Sequence, residues 1–182
     1  TNSIDLGNNS PAPSWQFAPS QPRSLRWVGG TGNWNDLSHW ASSALPTGGE
    51  CPPTALDDVA FDANSDNGVP FTVTIDAENA FCRNMDWSYA EFSPKLTAVS
   101  GSAINVYGNL TLLPNMALTS YGIPLTFRFK GESSGTYTIK TSGNKIITAY
   151  FQGNGEYLLD GPLTVDYLYH STGTLRTQDN AV

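Results

Sequence analysis

Charge is scarce in this chain: Asp, Glu, Lys and Arg make up only 14% of its 182 residues, about half the usual share of a globular domain. Positive charge is scarcest, nine Lys plus Arg against sixteen Asp plus Glu, so a nucleic-acid partner lacks the clustered cationic footprint it requires. No apolar run approaches the ~18 residues of a membrane helix, which argues against membrane insertion. The chain opens on polar Thr1-Asn2-Ser3 without the basic and apolar regions of a signal peptide, as expected of a removed leader or an excised piece. Cysteine is limited to Cys51 and Cys82. Neither forms a CxxC and the two histidines, His39 and His170, are far apart in sequence, which leaves zinc little support. An even pair in a charge-poor chain fits an oxidising compartment and a Cys51–Cys82 disulfide, with two buried thiols as the alternative. A sustained 3.6-residue apolar period is also missing. The length allows one hydrophobic core and no large multi-domain enzyme.

What the chain has in quantity is turn formers and small polar residues: 17 Gly, 12 Pro, 18 Thr, 18 Ser and 15 Asn, a secreted all-β composition. Residues 1–25 carry Pro11, Pro13, Pro19 and Pro22 and read as an extended leader pinned by Trp15 and Phe17. Residues 26–70 form a cap region in which Trp27, Trp34 and Trp40 interleave with Gly29, Gly30 and Gly32. Three indoles between turn glycines either close the open end of a β core or stack on carbohydrate. From residue 71 to 182 the pattern is strands: Phe71, Val73 and Ile75 alternate with Thr72, Thr74 and Asp76, and Leu125, Phe127 and Phe129 with Thr126 and Arg128.

A repeat runs through the late part. Thr138-Ile139-Lys140-Thr141 returns 36 residues later as Thr174-Leu175-Arg176-Thr177, pairing Ile139 with Leu175 and Asn144 with Asn180. Half that offset gives a fainter match, Ile139 to Tyr157. A coil of about 18 to 20 residues is the signature of a solenoid, because one coil cannot bury its own inner face and stacked coils can. The expected fold is therefore all-β, a right-handed parallel β-helix with an irregular Trp/Gly/Pro-rich N-terminal cap. A β-sandwich or jelly roll is the runner-up, and antiparallel pairing around residues 125–129 would favour it. The chain stops within the repeat, so truncation at the C-terminus is expected.

The run Trp27-Val28-Gly29-Gly30-Thr31-Gly32-Asn33-Trp34-Asn35-Asp36, then His39-Trp40, Leu45-Pro46-Thr47 and Asp57-Asp58-Val59-Ala60-Phe61-Asp62, resembles the N-terminal β-helical module of large secreted surface proteins of Bacteroidetes. These are adhesin-like, gliding-motility-associated substrates of type IX secretion. Val73-Thr74-Ile75-Asp76 and Ile104-Asn105-Val106-Tyr107-Gly108-Asn109 look like the same module continuing into its coils. The resemblance implies a secreted or cell-surface location and a non-catalytic structural or adhesive module for cell adhesion. Its implied partners are the rest of a larger surface protein, the type IX secretion machinery and surface polysaccharide. It brings no catalytic residues and no cofactor.

Candidate sites are few. Asp57, Asp58, Asp62 and Asp66 are the densest carboxylate group and, with Asn64 and Asn67, could supply oxygens to calcium, although EF-hand order is lacking. The competing reading is that Asp58 caps a turn. Tyr167 and Tyr169 share one strand face and make either a stacking platform for sugar rings or a ladder between coils. A polysaccharide-binding module is the first alternative function. A polysaccharide-cleaving β-helix enzyme, drawing on Asp86 with Glu91 or Asp160 with Asp166, is the second.

Overall fold

The computed structural model describes residues 21–119, 124–132, 135–177 and 182. The expectations for most of the leader, with Trp15 and Phe17, and for Asn180 fall outside the described residues. The chain winds as a right-handed parallel β-solenoid, the hand that a right-twisted strand imposes on its crossover.

Its coils follow one another simply. The first has β1 (Ser24–Trp27) and β2 (Gly32–Asn33); a 3-10 turn (Leu37–His39) then leads into β3 (Trp40–Ala41), which folds back antiparallel on β1. Three strands per coil follow: β4 (Asp58–Ala60), β5 (Thr72–Ile75) and β6 (Asn79–Cys82), then β7 (Met85–Asp86), β8 (Lys95–Ala98) and β9 (Ala103–Val106). The next coil has β10 (Leu110–Thr111), β11 (Ala117–Leu118) and β12 (Thr126–Phe129). Beyond it the coils carry two strands each, β13 (Thr136–Lys140) with β14 (Lys145–Phe151) and β15 (Glu156–Leu159) with β16 (Thr164–His170), followed by β17 (Thr174–Arg176). Three sheets result: a first with seven parallel rungs from β1 to β17 plus β3, a second of four strands from β2 to β11, and a third of five from β6 to β16. Thr126–Phe129 pairs in parallel with both β9 and β14, which excludes the sandwich.

The register explains the core. Leu25, Val59, Met85, Leu110, Ile139 and Leu159 stack in one inward column, each no more than 2% exposed. On the third sheet Cys82, Val106, Phe129 and Phe151 do the same. Period-two alternation sends every second side chain inward, and stacking puts like against like. The solenoid also tapers. Successive first-sheet partners are 26 residues apart at Val59–Met85, 25 at Met85–Leu110 and 29 at Leu110–Ile139, then only 20 at Ile139–Leu159 and 18 at Tyr157–Leu175. The shortening coincides with loss of the second sheet.

Two expectations are corrected. Leu175 stacks over Tyr157 and Tyr137, and Ile139 pairs with Leu159, so the 36-residue match is two residues out of register. A slip of two preserves the face of every residue, which is why the pattern still looked regular. The parallel ladder already runs through Ser24, which pairs with Asp58. The second correction is the disulfide: both cysteines are free. Cys82 points into the core from β6, whereas Cys51 is exposed in the loop ahead of β4.

Candidate functional site

The tryptophan cluster closes the N-terminal end of the core. Trp27, Trp34 and Trp40 are at most 1% exposed, so their faces are shut to any ligand. Trp27 and Trp34 each pack edge-on against Trp40, and His39 lies flat on Trp27 with ring centroids 4.5 Å apart. Trp27 Nε1 donates to the Gly30 carbonyl and Trp40 Nε1 to that of Trp34. His39 Nδ1 lies 2.7 Å from the Val28 carbonyl, which can only accept, so this nitrogen carries the proton. A Cβ at position 32 would sit 2.0 Å from His39 Nε2, which gives Gly32 its place in the motif.

The four aspartates divide into separate tasks. Asp57, with 2% of its side chain exposed, accepts from Arg23 N, Nε and Nη2 and from Thr54 N and Oγ1. Burial acts to raise its pKa, but the Arg23 and Thr54 donors outweigh it and hold the carboxyl below the ordinary carboxylate range. Asp58 is likewise depressed: burial opposes ionisation, and Arg83 and Asn84 more than compensate. Asp62 closes a turn by accepting from Asn64 N and Nδ2. Asp66 is buried and accepts from Gly68 N at 2.5 Å, while its Oδ2 has no partner. Among the described residues no three His, Cys, Asp or Glu side chains come together to hold a metal ion.

The tyrosines of β16 stand on the outer face of the third sheet. Tyr169 stacks on Tyr150 of the preceding coil at 4.4 Å, rings 9° from parallel, and is a step in a ladder between coils. Tyr167 sits over Thr148 and is 58% exposed. Of the carboxylates suggested for hydrolysis, Asp160 pairs with Lys140 at 3.1 Å, Asp166 pairs with Lys145 at 2.7 Å, and Asp86 accepts from the amide of Ser88.

An arrangement that sequence reading missed lies along the corner where the third sheet turns into the first. Asp58, Asn84 and Asn109 occupy the same position, one residue ahead of the inward Val59, Met85 and Leu110. Asn84 Nδ2 donates to Asp58 Oδ1, Asn84 Oδ1 accepts from Asn109 N, and Asn109 Oδ1 accepts from Thr138 N, each at 2.7 Å. This ladder carries backbone pairing around the corner, where strands are interrupted. Gly108 permits it, since a Cβ there would fall 2.3 Å from Asn84 Oδ1. The signal was present as Asp or Asn directly before an apolar rung residue, 26 and then 25 residues apart, but fifteen asparagines hid it. Beside the ladder runs a groove of about 570 Å³ whose lining includes Leu56, Arg83, Tyr107, Asn109, Glu132 and Tyr137.

Among the described residues no helix is long and apolar enough to cross a membrane. No protein-family model, no curated protein and no solved structure matches this chain.

Proposed function

We propose that the chain is a non-catalytic structural module, a stiff spacer within a large extracellular adhesin-like surface protein. The observation that carries this reading is the use made of its charged side chains. Arg83 binds Asp58, Lys140 binds Asp160, Lys145 binds Asp166 and Arg176 binds Glu156, each pair joining one coil to the next. These four ion pairs use charged side chains to hold coil against coil. The resemblance of the Trp27–Asp62 run supports a cell-surface location and export by type IX secretion, with the remainder of a larger protein as the covalent partner.

Two measurements test it. Antibodies raised against the chain should label intact cells of the producing organism, and labelling should vanish when the type IX translocon is deleted. The purified chain, incubated with a panel of polysaccharides, should release no reducing ends. Cytoplasmic retention in wild-type cells, or steady release of reducing ends, would overturn the proposal.

A further inference from the structure

Beyond a spacer role, we infer that the corner groove is a binding site for a neutral, hydroxyl-rich glycan chain. Its lining comes from four successive coils: Leu56 ahead of β4, Arg83 ahead of β7, Tyr107 and Asn109 ahead of β10, and Glu132 with Tyr137 at the entry to β13. Rungs stack ~4.8 Å apart, so three steps give a track of ~14 Å running along the solenoid axis. That suits an extended ligand whose repeat keeps pace with the coils.

The free groups are those a sugar chain needs. Arg83 binds Asp58 through Nε and Nη2, leaving Nη1 to donate. Asn109 spends Oδ1 on the Thr138 amide and keeps Nδ2. The Tyr107 hydroxyl and the Glu132 carboxylate have no partner among the described residues, and the Tyr107 ring is in no stack with another ring. Donors, an acceptor and a half-buried aromatic ring therefore line one track, as hydroxyl groups and the apolar face of a pyranose require. Part of this lining is also held in place in advance. Asp58 fixes Arg83, the ladder fixes Asn109, and the Glu132 amide holds the Tyr137 hydroxyl at 3.0 Å, so these three lose little side-chain entropy on binding. Charge selects the class: Arg83 is already neutralised by Asp58, whereas Glu132 is unpaired and repels an acidic sugar.

The test is affinity electrophoresis of the whole chain in gels cast with mixed-linkage β-glucan, xyloglucan or galactomannan, with polygalacturonate as the acidic counterpart. Retardation is expected in at least one neutral gel. It should weaken roughly tenfold in Tyr107→Ala and in Glu132→Ala, and persist in a Tyr167→Ala/Tyr169→Ala double variant. Circular dichroism confirms that each variant is folded. The inference fails if no neutral gel retards the chain, if polygalacturonate retards it more strongly, or if Tyr107→Ala leaves retardation intact. It fails equally if the Tyr167/Tyr169 variant is the one that abolishes retardation. None of these outcomes bears on surface export, which antibody labelling reads separately.

Discussion

Replacing Asp57 with alanine should unfold the chain at a markedly lower temperature. The carboxylate gathers five donors from two segments, Arg23 and Thr54, and the Arg23 guanidinium also reaches Glu50 and the carbonyls of Cys51 and Pro52. It ties the entry to β1, the loop ahead of β4 and the start of the second coil into one knot. Removing one member of a buried ion pair costs ~3–5 kcal/mol, mainly because the other is left uncompensated. Here the Arg23 side chain remains 28% exposed and keeps other acceptors, which places the loss near ~3 kcal/mol. At ~2–4 °C per kcal/mol for a chain of this size, the melting temperature should fall by ~6–12 °C. Far-UV circular dichroism at pH 7 reads it directly. The pH dependence supplies a second check. Because the folded pKa of Asp57 lies below the unfolded value of ~3.9, its ionised contribution is fully present above that value and is lost as pH falls through the folded pKa. The gap between wild type and variant should therefore narrow below pH ~4. A shift under ~3 °C at pH 7, or a gap that widens in acid, would refute the reasoning.

Other perturbations follow from the same packing. Under native conditions iodoacetamide should label Cys51 alone. Burial and the nearby Asp58 charge push the Cys82 thiol pKa far up, so mass spectrometry should show a second label only in guanidinium. Gly32→Ala should cost ~1–3 kcal/mol by driving His39 off Trp27, lowering the melting temperature and red-shifting tryptophan fluorescence. Ile139→Ala should cost ~2–5 kcal/mol in guanidinium unfolding, whereas Leu175→Ala, at a half-buried position, should cost visibly less. Equal losses would show that burial does not govern these two sites.

Strand content was legible because alternation survives in short segments: Val73 and Ile75, or Phe127 and Phe129, turn inward as their spacing implies. The solenoid was legible through the return of Ile139-Lys140 as Leu175-Arg176, but its register was not. Coils of 29, 20 and 18 residues have no common period, and a two-residue slip leaves every face unchanged. Asp57 and Asp58 were found as a cluster, yet their destiny depends on Arg23 and Arg83, which are 34 and 25 residues away. The cysteines misled because an even count says nothing about direction, and Cys82 alternates into the core. The groove was invisible for a plainer reason: Arg83, Tyr107 and Glu132 meet only once coils of unequal length have been stacked.

The taper has a mechanical side. Ladder hydrogen bonds between coils point along the stacking axis, so tension applied between the two ends of the solenoid loads the rungs in series and peels them one at a time. Each peeled coil pays out its own length of chain, ~3.4 Å per residue. The 29-residue turn between Leu110 and Ile139 would release ~100 Å, and the 18-residue turn between Tyr157 and Leu175 only ~60 Å. A tether built this way yields in unequal steps, giving short lengths at the narrow end and long ones at the wide end, and dissipates a pull gradually instead of failing at once.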